Sequence, residues 1–324
     1  MLNPHLSSHV DLWCIAGPTA SGKSSMALDL AKAIDGVIIN ADSMQIYNGV
    51  EIITAQPSYE DRSSVPHELY GFLSPKDPSS VSSWAASASQ LINKHMSSGR
   101  SCIVVGGTGL YFRGLLEGLA DIPPIKQDIR EKVRLLVASE NLSEIHREYF
   151  DKDPMILAHA PSTDPQRTAR ALEVFWQTGK PIQSFYHQPK YFLPIGLNYR
   201  GVYLCPPRDL LKSQIVMRRD QMMTHGLIEE MKDLLKQELD PQLPVMKACG
   251  LPNMLSYLRG GCALEEALDA LTLATTRYAK RQYTWFNRNM MSWNVLKTKE
   301  NFNKNNINEI IKQSNWLTVG VKQV

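Results

Sequence analysis

The chain has 324 residues, 43% hydrophobic and 21% charged, which is the make-up of a folded globular protein with one large or two ordinary domains and not of a disordered chain. No apolar run approaches the ~20 residues needed to span a bilayer, and five singly scattered cysteines, Cys14, Cys102, Cys205, Cys249 and Cys262, argue against a disulfide framework or a paired-cysteine metal site. A net charge of +3 permits a nucleic-acid partner without arguing for one, so local charge has to decide.

In chain order, Met1 to Val10 carries two histidines and no cationic apolar signal, so the expected compartment is the cytoplasm. Leu12 to Ala16 reads as a buried strand, and Met26, Ala27, Leu30, Ala31 and Ile34 recur at helical spacing. Between them lies Gly17-Pro18-Thr19-Ala20-Ser21-Gly22-Lys23-Ser24, which fits the Gly-x-x-x-x-Gly-Lys-Ser/Thr pattern. Strand, glycine loop and helix together wrap backbone N–H groups around a phosphate and aim a helix N-terminus at it. Lys23 would add a mobile positive charge, and Ser24 would be a Mg²⁺ ligand.

Val37 to Asn40 reads as a second strand, ending at Asp42. In an open α/β sheet ligands gather beyond the carboxyl ends of the strands, so Asp42 is either a metal ligand or proton acceptor beside the loop, or an Asp that caps a local turn. Thr54 to Ser64 is Pro/Ser-rich and reads as loop, and His67 to Leu73 as a short strand. Val81 to Met96 has helical periodicity with Gly99 as its stop, and Ser101 to Val105 is a buried strand closing in Gly106-Gly107-Thr108-Gly109. That strand has no acidic residue at its end, which weakens an ATPase reading, and its double glycine suggests close approach of the backbone to a ligand.

From Asp121 to about Gln188 helical patterns take over after Ile122-Pro123-Pro124, with no convincing strand. This stretch reads as a helical insertion in an α/β domain, and it places Arg167 and Arg170 one turn apart, as a functional pair or a solvated face. Arg200 to Leu204 returns to strand, Leu210 to Leu239 reads as helix broken at Gly226, and a long helix runs from Leu264 to Phe286. On that helix Leu271, Ala274, Tyr278 and Trp285 share one face, and Arg277, Lys280, Arg281 and Arg288 form the neighbouring stripe. A basic stripe of this kind is a footprint for phosphates or a solvated face. The tail from Lys297 to Gln313 is Asn/Lys-rich, and Trp316 to Val319 reads as a last edge strand.

Several segments together resemble the tRNA dimethylallyltransferases, over nearly the whole chain from Cys14 to about Asn287. They are the glycine loop; Asp42-Ser43-Met44-Gln45-Ile46-Tyr47; Val65-Pro66-His67; Val105-Gly106-Gly107-Thr108-Gly109-Leu110-Tyr111; Asp164-Pro165-Gln166-Arg167; Arg170-Ala171-Leu172-Glu173-Val174; Ala279-Lys280-Arg281-Gln282; and Thr284-Trp285-Phe286. Two segments depart: Glu51-Ile52-Ile53-Thr54-Ala55-Gln56-Pro57 replaces the usual Asp-Ile-Gly-Thr-Ala-Lys-Pro, and Lys247-Ala248-Cys249-Gly250-Leu251 the usual Arg-x-x-Gly-Tyr.

The resemblance implies transfer of a dimethylallyl group from dimethylallyl diphosphate to the exocyclic amine of the adenosine beside the tRNA anticodon. It implies a P-loop NTPase-like parallel sheet over 10–120 and 196–324 with a helical C-terminal part, a tRNA-contacting helical insertion at 121–195, and a monomer with no membrane association. The expected catalytic set is Thr19, Lys23, Asp42 and Arg218, with Asp42 as general base and Mg²⁺ on Ser24. The expected tRNA contacts are Asp42, Ser43, Met44, Gln45, Thr108, Arg130, Gln166, Arg167, Thr168, Ala169, Arg170, Lys280 and Arg281. The alternative is a P-loop small-molecule kinase using ATP, and a third reading is a nucleotide-gated RNA-binding module.

Overall fold

A computed structural model describes residues 12–194 and 196–297, and the backbone of 318–320. Strand β1 (Leu12–Ala16) is buried along its whole length, as a parallel strand covered on both faces must be. Its residues alternate between two cores. Leu12, Cys14 and Ala16 join one apolar cluster, Trp13 and Ile15 the other. Each large apolar side chain so buried contributes about 1.5–3 kcal/mol relative to exposure, enough to outweigh the roughly 1–2 kcal/mol of backbone ordering per residue. Continuous apolar runs therefore settle as the inner strands.

Helix α1 (Lys23–Ile34) lies on the Trp13 side through Met26, Ala27, Leu30 and Ala31. Strand β2 (Val37–Asn40) follows. The stretch expected to be loop then forms helix α2 (Tyr59–Ser64). Its cause is local: Ser58 accepts the Asp61 amide and Asp61 accepts the Ser58 amide, a reciprocal cap that satisfies two otherwise orphaned donors. Strand β3 (His67–Glu68) is only two residues long, because Leu69 takes a left-handed φ of 62° and leaves the sheet. Helix α3 (Val81–Ser97), strand β4 (Cys102–Gly106) and helix α4 (Gly109–Glu117) complete the first half.

Residues Glu117–Tyr191 form a separate compact unit. It holds a two-residue antiparallel pairing of β5 (Leu119–Ala120) with a strand at Pro189–Lys190, which the sequence pattern did not signal. Between them come α5 (Gln127–Ser139), α6 (Leu142–Lys152) and α7 (Pro165–Thr178). Their own core is Val133, Ile145, Tyr149, Ile156, Leu157, Ala171 and Leu172. Helix α7 starts where Asp164 accepts the amides of Gln166 and Arg167, with Pro165 in the first turn, where its missing donor costs nothing.

With the Pro189–Lys190 strand numbered β6, the main unit resumes in β7 (Asn198–Leu204), α8 (Arg208–Thr224) and α9 (Leu227–Leu235), with the break at Gly226. A short helix α10 (Leu251–Leu258), not anticipated from periodicity, precedes α11 (Leu264–Asn289). Strand β8 (Asn294–Leu296) was also not anticipated. Strand β9 (Thr318–Gly320) pairs antiparallel with the first half of β7. Residues 1–10, the Asn/Lys-rich tail beyond Lys297, and Trp316 with Leu317 lie outside the described residues.

The sheet runs β3-β2-β4-β1-β7-β8, all parallel, with β9 added on β7. This is the α/β architecture with a parallel sheet and helices that the motif order calls for. Register fixes what comes next. Ala16 pairs with Gly106 and with Tyr203, and Asn40 with Val105, so the strand ends of β1, β2, β4 and β7 open on one edge.

Candidate active site

The glycine loop leaves β1 at that edge. Gly17 lies against Leu204 at the end of β7, where a Cβ would come within 2.9 Å of the Leu204 carbonyl. Ala20 and Gly22 adopt left-handed φ angles of 64° and 89°, which turn the chain back into α1. No side chain caps α1 at Gly22, so its first-turn N–H groups keep the dipole end open for an anion. Pro18 is buried, Thr19 and Gly22 are half-buried, and Ala20 and Ser21 are buried, with the Ser21 Oγ lacking a hydrogen-bond partner. Ser24 is exposed.

Lys23 is buried, and its ammonium donates to the Pro18 carbonyl at 3.3 Å. Arg218 comes from α8 and donates from Nη1 to Thr19 Oγ1 at 3.0 Å. Burial, then the repulsion of Arg218, lower the Lys23 pKa to about 8 against the pull of Asp42. Burial likewise lowers Arg218, again opposed by Asp42. Two buried cations thus share one nearby carboxylate, and a buried charge is costly unless paired. Surplus positive charge beside uncapped N–H groups is an environment that favours a polyanion.

Asp42 is buried, directly after β2. The local-turn reading is realised by one of its oxygens: Oδ1 accepts the Met44 amide at 3.0 Å. Its backbone is pinned by Asn40, which accepts the Asp42 amide at 2.8 Å and donates to the Asp42 carbonyl at 3.0 Å. Oδ2 accepts no hydrogen bond among the described residues, and it lies 3.2 Å from where a Cβ on Gly107 would sit. Around this carboxylate stand Tyr70, Tyr111, Tyr278 and Cys249. Burial first, and then the Asp42 charge, raise the pKa of each, Tyr111 to about 12 and Cys249 to about 11. All four stay neutral near pH 7, so the charges acting on Asp42 come from Lys23 and Arg218.

The double glycine has a cause within the chain itself. A Cβ on Gly106 would lie 2.0 Å from the Ala41 carbonyl, and one on Gly107 2.1 Å from Gln282 Nε2. The backbone approaches its own chain there. Thr108 then ties the two strand-end loops together, accepting the Ser43 amide at 2.9 Å and donating to Ser43 Oγ at 3.2 Å. Met44 packs partly into the core, and the Gln45 amide donates to the Thr54 and Ala55 carbonyls, both at 2.9 Å.

The face of α11 turned to this edge also differs from the apolar stripe expected. Trp285 covers Gly109, Tyr278 hydrogen-bonds Thr108, and between them sits Gln282, 5% exposed. Gln282 accepts the Thr19 amide and donates to the Gly107 carbonyl, each at 2.8 Å. Its signal in sequence was a lone amide on the buried side of an amphipathic helix. Arg277, Lys280, Arg281 and Arg288 are exposed. In the departing 51–57 segment, Glu230 accepts the Ile52 and Ile53 amides at 2.6 and 2.9 Å, and Gln56 bridges the Tyr47 carbonyl and Arg62.

Within the helical unit, Arg130 is half-buried, and Gln166 and Arg167 are exposed at the start of α7. Arg167 pairs with Asp164 at 3.4 Å, and Arg170 with the buried Glu173 at 3.5 Å. Ala169 is half-buried, but Thr168 is fully buried against His146 at 3.1 Å, so its hydroxyl serves the unit's own core. Among the described residues no group of three or more His, Cys, Asp or Glu side chains could hold a metal ion, and no helix is long and apolar enough to cross a membrane.

A family model described as IPP transferase matches residues 45–289. A tRNA dimethylallyltransferase of Chelativorans sp. strain BNC1 is 43% identical over 272 residues, 84% of this chain and 93% of that protein. One from Bartonella tribocorum is 44% identical over a stretch of the same length. Among solved structures, a full-length tRNA isopentenylpyrophosphate transferase from Bacillus halodurans is similar with a TM-score of 0.65 and 34% identity, over 94% of this chain and 95% of that one. A eukaryotic dimethylallyltransferase acting on tRNA is similar with a TM-score of 0.73 and 25% identity, over 86% of this chain and 70% of that one.

Proposed function

We infer that this chain, which belongs to the IPP transferase family, is a tRNA dimethylallyltransferase. It moves a dimethylallyl group from dimethylallyl diphosphate to the N6 amine of the adenosine 3′ of the anticodon. The observation that carries the chemistry is that buried Lys23, Arg218 on the Thr19 hydroxyl, and the buried Asp42 carboxylate meet at the same sheet edge.

The diphosphate sits on the uncapped first-turn N–H groups of α1, with Lys23 and Arg218 on its oxygens. The bond between the allylic carbon and diphosphate oxygen breaks, and the electron pair leaves on the diphosphate. Charge neutralisation there is worth most in the transition state, where the leaving group gains charge. The N6 nitrogen bonds the allylic carbon, and its proton passes to Asp42 Oδ2. The adenine has to be flipped from its stack to reach so buried a carboxylate. The exposed Ser24 hydroxyl would hold a Mg²⁺ beside the diphosphate. Such an ion would add to the neutralisation of the leaving group.

The RNA is gripped by Arg130, Gln166, Arg167 and Arg170 of the helical unit and by Arg277, Lys280 and Arg281 of α11. The Arg167 ion pair with Asp164 is exposed, and such pairs are worth little, so a phosphate can take its place. Replacing Arg167 and Arg281 together by Ala is expected to weaken tRNA binding and leave dimethylallyl diphosphate binding unchanged. The slope of log K against log salt should flatten by roughly 0.7 for each phosphate that is no longer neutralised. An unchanged slope and affinity, measured by filter binding across salt, would show both arginines to be ordinary surface.

Diphosphate binding itself reports on Lys23. The free protein loses the Lys23 proton near pH 8, and the anion prefers the charged form. Affinity for inorganic diphosphate should fall as pH rises above about 8, and Lys23→Ala should abolish that limb. By the same linkage, the unliganded fold binds fewer protons than the unfolded chain between about 8 and 10.5, so its stability rises with pH across that window. Calorimetric titration at stepped pH checks the first point.

The reaction class is tested by two parallel incubations, one with dimethylallyl diphosphate and unmodified tRNA, one with ATP and candidate small-molecule acceptors. RNA-dependent diphosphate release in the first supports this function. Phosphoryl transfer in the second, with none in the first, supports the kinase.

A further inference from the structure

We infer that Gln282 is a positioning residue that holds the diphosphate loop and the Asp42 ledge in register across the reaction gap. The inference rests on the dimethylallyl-transfer reading above. A primary amide 5% exposed inside a helix face has no packing advantage over Leu, and it is costly unless bonded. Here both of its ends are used. Oε1 takes the Thr19 amide and Nε2 reaches the Gly107 carbonyl, each at 2.8 Å. The orientation of the amide is forced, because one partner can only donate and the other only accept.

These partners belong to the two loops that have to face each other in the reaction. Thr19 is already held through its hydroxyl by Arg218, so Gln282 fixes the same residue from a second helix. Gly107 precedes Thr108, which carries Ser43 and so the chain following Asp42. The geometry is tight: a Cβ on Gly107 would meet Gln282 Nε2 at 2.1 Å and Asp42 Oδ2 at 3.2 Å. The amide and the catalytic carboxylate therefore face the same spot, and only glycine leaves them room. Losing the clip leaves each loop intact but frees their spacing, and a displacement of about 1 Å between reacting groups can cost on the order of 100-fold.

The test compares full-length wild-type protein with Gln282→Met, which keeps length and loses both bonds, and Gln282→Glu, which keeps only the acceptor for Thr19. For each, kcat, KM for both substrates, tRNA Kd and melting temperature are measured. The expected result for Gln282→Met is a kcat fall of roughly 30- to 100-fold, with both KM values and the tRNA Kd within threefold and no loss of rate recovery on cooling beyond wild type. Gln282→Glu should fall as well at a pH where the introduced carboxyl is ionised, through repulsion at the Gly107 carbonyl. Gly107→Ala should lose rate by displacing the amide and crowding Asp42 Oδ2. A kcat within threefold of wild type in either Gln282 variant overturns the inference. So does a rate loss that follows the melted fraction or tRNA release. Should Gln282→Met be melted at the assay temperature, Gln282→Glu decides alone. Failure of the wild-type protein to modify tRNA would instead overturn the functional reading.

Discussion

Asp42→Asn is expected to lower kcat by about 100-fold or more while leaving the affinity for dimethylallyl diphosphate nearly unchanged. The substitution keeps shape and the hydrogen bond to the Met44 amide, so the turn after β2 should survive. What it removes is the charge at Oδ2, the oxygen left over once the turn is satisfied. An adenine N6 amine is a poor nucleophile, and it has to shed a proton as the new bond forms. The neutral wall of Tyr70, Tyr111, Tyr278 and Cys249 offers no second acceptor of comparable basicity near pH 7. The competing role is metal ligation. A steep rise in the diphosphate Kd, with rate restored by excess Mg²⁺, would assign Asp42 to the metal. Single-turnover rates and equilibrium binding on the same variant separate the two.

Lys23→Ala should be comparably severe, slowing transfer by roughly 100-fold or more, the scale seen when one preorganised donor to a developing charge is removed. The Lys23 ammonium is buried and held against Pro18, so it is already placed when the leaving group gains charge. Arg218 remains beside Thr19 in the variant, and some binding should persist. The loss therefore falls on the chemical step as well as on affinity. A single-turnover rate near wild type at saturating substrate would remove Lys23 from the mechanism.

The parts of this fold legible in sequence are those fixed by neighbours in the chain. β1, β2 and β4 are nearly continuous apolar runs because they are covered on both faces, and β7 reads as strand from its Val202-Tyr203-Leu204 end. The glycine loop announces strand, turn and helix within a dozen residues. Asp42 could be placed near that loop from its position at a strand end, since parallel strands open on one edge. Where the cause is a single reciprocal cap, as at Ser58 and Asp61, a Pro/Ser-rich stretch hides a helix. Where the cause is distant, nothing local points to it. Gln282 meets Thr19 across 263 residues, and Glu230 meets Ile52 across 178. The double glycine was the right residue type for a close approach, but the approaching group is Ala41 on one side and Gln282 on the other. Steric need is visible in sequence, and its source is not.

The two departing segments fall into place in the same way. Glu51 accepts the Gly49 amide and Gln56 bridges Tyr47 and Arg62, so both serve the 47–57 loop rather than an open face. Lys247 and Leu251 flank the turn into α10, with Leu251 fully buried in the main core. Cys249, between them, is one of the groups around Asp42.

The central claim is that one sheet edge joins a diphosphate-binding loop to a base that accepts a proton from adenine. The most direct measurement is mass analysis of nucleosides from an unmodified tRNA incubated with the protein and dimethylallyl diphosphate, with Asp42→Asn run alongside. One dimethylallyl group on the N6 of the adenosine 3′ of the anticodon is expected with the wild-type protein, and a trace with the variant. Unmodified adenosine with both proteins, or equal modification by both, would contradict it.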